Sequence, residues 1–205
     1  MNENTSSEYY LLVEDGSNPE IEYRNPDYNL DRSLSLYRHI ILPDDYQMID
    51  LYLMGRISKL KVDYLTLFGL EHVVSERVKL AIEEMNPVNI QFLPTIIHGQ
   101  KEDHEDYFII NCYNAIPAMD KKKSEWTKSG NPDPGREVQS IDKLVLDPDK
   151  IKDIPLSERL IVALGECMWY TLFHESVIEN IEKLKPKGFY AVPVDAWDSD
   201  LMMDL

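Results

Sequence analysis

The chain has 205 residues, of which 37 are acidic and 21 are basic, so that it carries a formal net charge of −16 at pH 7. This balance argues against nucleic acid and anionic membranes as partners, because both are polyanionic surfaces. It favours a basic protein partner, although acidity also serves solubility alone.

No apolar run approaches the roughly 20 residues that cross a membrane. The first ten residues lack the basic and apolar regions of a signal peptide. Cys112 and Cys167 lie in apolar segments, which is typical of free thiols in a reducing compartment. We therefore expect a cytoplasmic protein.

The N-terminal region is the most acidic part of the chain, with 11 acids and three arginines in the first 50 residues. Tyr9–Glu14 is β-prone and precedes an Asp-Gly turn, which predicts a strand. Residues 16–35 predict a loop with room for one short strand, and residues 46–60 mix strand and helix periods. We delimit residues 1–58 as an acidic N-terminal strand and loop region.

Residues 59–137 predict a first α+β unit. Ser75 is a candidate helix N-cap, and apolar residues then recur at Val78, Ile82 and Met85, which is one helical stripe. Pro87 ends this helix. Two apolar segments separated by a polar turn at residues 98–106 predict an antiparallel hairpin, and a loop of roughly 20 residues follows.

Residues 138–205 predict a second unit. A strand at residues 140–146 ends in a turn, and residues 156–173 predict a helix followed by a strand. A helix and a last strand come next, and then a short acidic tail that we expect to be mobile. The three regions form one continuous globular protein.

The two units contain similar stretches 99 residues apart. Residues 73–94 read "VVSERVKLAIEEMNPVNIQFLP", and residues 172–193 read "LFHESVIENIEKLKPKGFYAVP". Six of the 22 aligned pairs are identical, and both helices place apolar residues alike and end at a proline. The fold class that we predict is α+β, with two β-α-β-like pseudo-repeats whose helices pack on mainly antiparallel strands.

Motifs that carry chemistry are scarce. The chain lacks phosphate-binding glycine loops and a G-x-S-x-G nucleophile motif. His174-Glu175 begins like a zinc-binding H-E-x-x-H motif, but Ile178 stands at the last position of that motif. His98, His104 and Asp106 share one turn, for which a solvated loop is a better interpretation than a metal site. We predict no metal, no cofactor and no catalytic residues.

Several segments together resemble a known family. They are "VSER" at residues 74–77, "FLP" at residues 92–94, "YFIIN" at residues 107–111, "AMDKKKS" at residues 118–124 and "LVLD" at residues 144–147. Their order resembles immunity protein family eleven of bacterial polymorphic-toxin and type VI secretion systems. The resemblance covers residues 60–195, and "FHE" stands where the family repeats its Val-Ser-Glu.

The resemblance implies a cytoplasmic protein, not an enzyme, that neutralises a cognate toxin by direct stoichiometric binding. An acidic face that occludes a basic active site agrees with the charge. The alternatives are an enzyme that reverses a toxin's modification and an adaptor or chaperone for a secreted effector. The sequence leaves the oligomeric state open. We expect the partner-binding residues among acidic clusters and the tail, at Glu14, Asp15, Asp44, Asp45, Glu102, Asp103, Glu105, Asp106, Asp195, Trp197 and Asp198.

Overall fold

A computed structural model of the chain describes residues 5–23, 41–43, 48–54, 60–67, 71–130 and 137–198. The strands are β1 (Tyr9–Glu14), β2 (Ile21–Glu22), β3 (Ile49–Leu53), β4 (Tyr64–Leu67), β5 (Glu71–Ser75), β6 (Ile90–His98), β7 (Asp103–Cys112), β8 (Ala115–Ile116), β9 (Glu125–Lys128), β10 (Val138–Lys143), β11 (Ile161–Leu164), β12 (Thr171–His174) and β13 (Phe189–Pro193). The helices are α1 (Glu76–Glu83), α2 (Pro148–Ile151), α3 (Leu156–Arg159) and α4 (Glu175–Glu182), with 3₁₀ turns at Thr5–Glu8 and Val194–Ala196.

Six strands close into a barrel in the order β2-β3-β6-β7-β5-β4. Most neighbours in it are antiparallel, and the pairs β3-β6 and β2-β4 are parallel. Strands β6 and β7 are adjacent and antiparallel in the barrel, which confirms the predicted hairpin. The barrel itself was not predicted, because β2 has two residues and β3 lies in the segment with mixed periods.

The second sheet has five strands in the order β13-β1-β12-β11-β8. Its first three pairs are antiparallel, and the pair β11-β8 is parallel. The barrel strands β6-β7-β5-β4-β2 have this same order and these same directions. The barrel differs in having β3 as an additional closing strand.

The registers of the two sheets also correspond. Tyr9 of β1 pairs with His174, and Tyr107 of β7 pairs with Ser75. Each of these tyrosines donates its hydroxyl to a carbonyl oxygen just before the next strand but one in its sheet, that of Arg159 before β11 for Tyr9 (3.3 Å) and that of Val62 before β4 for Tyr107 (2.5 Å). Corresponding residues in these four pairs of strands, β7 with β1, β6 with β13, β5 with β12 and β4 with β11, are 97 to 99 positions apart. For β2 and β8 the spacing is 95.

The first strand of each sequence half lies in the sheet of the other half. β1 comes from the N-terminus but inserts between β12 and β13, whereas β7 begins the second half and lies between β5 and β6. Each half thus contributes one central strand to its neighbour. The pseudo-repeat as a duplication stays a prediction.

Helices α1 and α4 have eight residues each and start 99 positions apart. Helices this short are marginal in isolation, and burial of Val78, Ile82, Val177 and Ile181 stabilises them against both sheets. They contact each other where the Asn180 side-chain amide donates to the carbonyl oxygen of Ala81 at 2.6 Å. None of the described helices is of a length and apolarity to span a bilayer.

The predicted N-cap Ser75 is confirmed in position, and His174 is the N-cap of α4, where the departure from the family pattern puts a cap in doubt. Ser75 is the N-cap of α1, yet its hydroxyl makes no capping bond and instead donates to Asp63. At α4 the imidazole Nδ1 of His174 accepts from the Ser176 N–H. His174 therefore makes a side-chain capping bond, whereas Ser75 does not. Asn86 and Lys185 then leave the helices with φ of 50°, each before a proline.

The long loop predicted after the hairpin is partly wrong. It contains a turn and strand β9, which pairs with β10. Trp126 explains part of this order, because its indole N–H donates to the Lys121 carbonyl and its ring packs on the core cluster below the five-stranded sheet. Residues 131–136 of the loop lie outside the described residues.

Gly188 gives a test of how closely the segment before β13 packs against the start of β4. Its φ is +106°, and a Cβ there would lie 2.5 Å from the carbonyl oxygen of Tyr64. We expect Gly188→Ala to lower the free energy of unfolding by about 2–3 kcal/mol, because positive φ and a backbone clash both cost energy. Gly130→Ala is the control, since nothing lies within 4 Å of its Cβ. Equal urea midpoints for the two variants would contradict this prediction.

Candidate functional site

Four of the predicted partner-binding acids lie together on the β6–β7 hairpin. Glu102, Asp103, Glu105 and Asp106 are all exposed. The hairpin is held to β3 by His98, whose Nε2 lies 2.8 Å from Asp50 and whose Nδ1 lies 3.1 Å from Asp103. Burial lowers the pKa of His98, but hydrogen bonds and charge from both aspartates outweigh it, and the pKa lies above its ordinary value.

The predicted pair at the end of β1 has a mainly structural environment. The Glu14 carboxylate accepts from the Thr66 hydroxyl at 2.5 Å and from the Thr66 N–H at 3.1 Å. Asp15 accepts from the Ser17 N–H at 3.0 Å within a turn. The two Thr66 bonds join β1 to β4 and engage both carboxylate oxygens of Glu14, so Glu14 has few free lone pairs for hydrogen bonds to a partner.

The predicted tail residues separate into two environments. Asp195 and Asp198 are exposed. Trp197 is only 5% exposed and packs edge-on against Tyr170, with ring centroids 5.4 Å apart. Its indole therefore belongs to the core cluster of the five-stranded sheet rather than to a binding surface. The predicted acids Asp44 and Asp45 lie outside the described residues.

An open cavity of about 450 Å³ lies beside the acidic hairpin. Its walls are residues 60–63 before β4, residues 75–77 at the start of α1, Asp106 and Tyr107 of β7, and Lys187. The hairpin acids thus continue into the cavity through Asp106. The sequence indicated the start of α1 but not the cavity, because β4, β7 and Lys187 are far apart in the chain.

The cavity is organised by the buried carboxylate of Asp63. Arg77 donates to it through Nε at 2.5 Å and Nη2 at 2.6 Å, which is a bidentate ion pair. The Ser75 hydroxyl at 2.9 Å and the Lys187 N–H at 2.9 Å complete four donors. Arg77 also donates from Nη1 to the Leu184 carbonyl at 3.1 Å, which links the barrel to the end of α4.

These donors set the protonation of Asp63. Burial raises the pKa of its carboxyl group, but the bonds from Arg77, Lys187 and Ser75 outweigh burial and leave the pKa below its ordinary value. The Asp63 bond raises the pKa of Arg77 in turn. Asp63 is therefore a fixed anion, and its lone pairs are occupied.

The corresponding place at the start of α4 is closed. Leu160 stands where the barrel has Asp63, and it is 3% exposed. Arg159 stands where the barrel has Val62, and its Nη1 lies 3.0 Å from the Tyr9 hydroxyl oxygen and 3.8 Å from Glu8. Burial, with the Arg159 charge, lowers the pKa of His174 to about 4.

Metal and thiol chemistry find no support within the described ranges. No group of three or more His, Cys, Asp or Glu residues there is arranged to hold a metal. Cys112 and Cys167 are free and buried, as predicted. Burial raises the pKa of Cys112 to about 12 and that of Cys167 to about 11, so both are poor nucleophiles.

Comparison with known families decides the identity at family level. The chain matches the Immunity protein family (Imm11) over residues 17–154. It belongs to this immunity protein family. No curated protein matches the chain. The resemblance seen in the sequence is thus confirmed, although the match starts earlier than residue 60 and ends before α4.

Asp63 gives a test of how this immunity protein holds its cavity. We expect Asp63→Asn to lower the free energy of unfolding at pH 7 by about 2 kcal/mol, because the four donors lose a charged acceptor. The loss is limited because Arg77 is half-exposed, and water can hydrate its guanidinium in the variant. A carboxyl group with a lowered folded-state pKa stabilises above its unfolded pKa of about 4. The difference from wild type should therefore shrink as the pH falls through the lowered pKa.

Urea unfolding between pH 2 and pH 7 measures this difference. Asp142→Asn on β10 is the matched control, because Asp142 is exposed and makes no ion pair with another described residue. The interpretation is wrong if Asp63→Asn and Asp142→Asn unfold alike at pH 7.

Proposed function

We propose that this immunity protein neutralises a cognate bacterial toxin by direct, stoichiometric binding. The observation that carries the proposal is the row of exposed acids on the β6–β7 hairpin beside an open cavity. The partner that complements this surface is a toxin with a basic face. A net charge of −16 would also accelerate the encounter with such a partner.

Occlusion is the mechanism that we infer. A rigid hairpin that carries four carboxylates can cover a basic groove and exclude a polyanionic substrate from it. The His98 side chain bonds to Asp50 of β3 and to Asp103 across the hairpin, so the hairpin is held in place and less conformational freedom is lost on binding. Inhibition of this kind requires binding only and no chemical reaction between the two proteins.

A binding role agrees better with the cavity than an enzymatic one. A general base needs a free lone pair and a pKa near the working pH. Asp63 has a lowered pKa and four donors around it. We therefore infer inhibition by contact rather than reversal of a modification, in the cytoplasm of bacteria that use polymorphic toxins or type VI secretion.

Co-expression tests this function. The gene that neighbours the immunity gene is expected to encode the toxin, and growth should be restored when both proteins are made. The purified pair should form a stable complex in which toxin activity is lost. A complex that keeps full toxin activity would favour an adaptor, and the absence of both rescue and complex would refute the proposal.

The acidic hairpin provides a sharper test. We expect Glu102→Lys with Glu105→Lys to weaken toxin binding at least tenfold, because two attractive contacts become repulsive. Wild-type binding should also weaken as salt rises above about 0.15 M, where the Debye length is about 8 Å. Isothermal titration calorimetry at two salt concentrations measures both effects.

The control for this experiment changes charge equally. Glu179→Lys with Glu182→Lys alters two exposed acids of α4, away from the hairpin. If both double variants weaken binding alike, the net charge and not the hairpin is what the toxin recognises.

We also infer that the two halves are duplicated copies that exchange their first strands. The shared strand order, the similar spacing of corresponding residues and the tyrosine-to-carbonyl bonds support a repeat. Asn180 contacts Ala81, which is 99 residues earlier. Contact between corresponding residues is what a two-fold axis produces.

The repeat predicts a tolerated circular permutation. Tyr10 pairs with Pro193 as Phe108 pairs with Pro94, so the start of β1 and the end of β13 are placed like the start of β7 and the end of β6. A permutant that starts at Lys101, with residues 205 and 1 joined by a linker, should unfold within about 2 kcal/mol of the unpermuted chain. A permutant opened between Ile109 and Ile110 breaks a central strand and should not fold. Circular dichroism and urea unfolding measure both; failure of the first permutant would contradict the repeat.

A further inference from the structure

We propose that the cavity at the start of α1 receives an arginine side chain of the toxin, held by the carboxylates of Glu76 and Asp106. This inference rests on the proposed function and specifies the chemistry of its contact. The cavity volume of about 450 Å³ is ample for one long side chain.

The donors that line the cavity are mostly occupied. The Ser75 hydroxyl and the Arg77 Nε and Nη2 groups donate to Asp63. The Tyr107 hydroxyl donates to the Val62 carbonyl at 2.5 Å. An anionic ligand would therefore have to displace existing bonds.

The acceptors are available. Glu76 is the first residue of α1, Asp106 lies on β7, and both are exposed. Neither carboxylate makes a hydrogen bond or an ion pair with any other described residue. Lys61 and Lys187 also border the cavity, but both are exposed and their flexible stems let the ammonium groups turn to water. The cavity therefore favours a cationic ligand that donates hydrogen bonds.

The second sheet contains such a cation within the chain itself. Tyr9 corresponds to Tyr107, and Glu8 corresponds to Asp106. The guanidinium of Arg159 lies 3.0 Å from the Tyr9 hydroxyl oxygen and 3.8 Å from the Glu8 carboxylate. In the barrel the corresponding residue is Val62, which has no charge. The tyrosine and the acid are thus repeated at the cavity, whereas the arginine is missing.

Apolar groups complete the fit. Leu60, Val62 and Tyr107 line the cavity, and the apolar groups of Leu60 and Val62 can pack against the methylene stem of an arginine while its head meets the carboxylates. The bidentate bond from Arg77 to the buried Asp63 fixes the wall behind these groups.

Neutral variants of equal shape test the proposal with the co-expressed toxin. We expect Glu76→Gln and Asp106→Asn each to weaken binding about tenfold and the double variant about 100-fold, because each removes a charge-assisted bond. Glu175→Gln is the matched control, since Glu175 is the first residue of α4 and loses the same helix-end charge. Unchanged binding by the double variant, or an equal loss in the control, would overturn the proposal.

A converse variant supplies the missing cation. Val62→Arg reproduces Arg159 in the barrel and should fill the cavity from within. We expect it to weaken toxin binding at least tenfold while the melting temperature stays within a few degrees of wild type. Toxin binding as tight as wild type by the folded Val62→Arg variant would overturn the proposal.

A probe without the toxin separates this inference from the proposed function. We expect N-acetyl-arginine methylamide at millimolar concentration to shift the NMR amide signals of residues 75–77 and 106–107, and to lose this effect in the double variant. N-acetyl-aspartate methylamide should not shift them. No shift with the arginine compound, or a shift with the aspartate compound only, would overturn the arginine site. A toxin that fails to bind wild type would instead refute the proposed function.

Discussion

The carboxylate of Asp63 is the point at which three separate parts of the chain meet. It precedes β4, it accepts from Ser75 and Arg77 at the start of α1, and it accepts from the N–H of Lys187 before β13. The backbone bond from Asp63 N–H to the Lys187 carbonyl at 2.8 Å closes the same junction. The barrel and the five-stranded sheet are joined here. The cavity lies at this polar joint and is lined by Asp63, Ser75, Arg77 and Lys187.

A buried charge of this kind is expensive unless it is fully paired. The other sheet shows that the fold does not require one, because Leu160 occupies the corresponding place and is buried. Two versions of one local architecture therefore exist in the same molecule. The version in the five-stranded sheet contains the guanidinium of Arg159, whereas the version in the barrel has an exposed acid, Asp106, beside the buried Tyr107. The contrast shows that the fold itself needs no charged residue at the position of Asp63, so the charge there is available for another role.

Local signals were sufficient for part of the structure. Prolines, cap positions and apolar stripes at Val78–Ile82 and Val177–Ile181 predicted both helices, and the polar turn at residues 98–106 predicted the hairpin. These features depend on neighbours in sequence, where periodicity is informative. The pairing of β1 with β12 and β13 joins residues more than 160 positions apart, and no short pattern specifies such a partner.

The site was harder to predict for the same reason. Acid-rich segments identified the hairpin at Glu102–Asp106, since exposed charge is visible in composition. Composition failed at Trp197, because an acidic tail looks exposed even where one side chain turns into the core. It also failed at Asp63, whose partners lie 12, 14 and 124 residues away. Only the folded chain brings those donors together.

The exchange of first strands also sets an order for folding during synthesis. Every strand of the barrel lies between residues 21 and 112, so this part is complete when about half of the chain has been made. Strand β1 emerges before the barrel, yet its neighbours β12 and β13 are made only after every strand of the barrel. The apolar residues of β1 therefore lack these two partners while the barrel is being made. Long-range contacts of this kind form slowly and leave apolar segments open to aggregation in the meantime, so this immunity protein depends on residues 171–193 to cover its first strand.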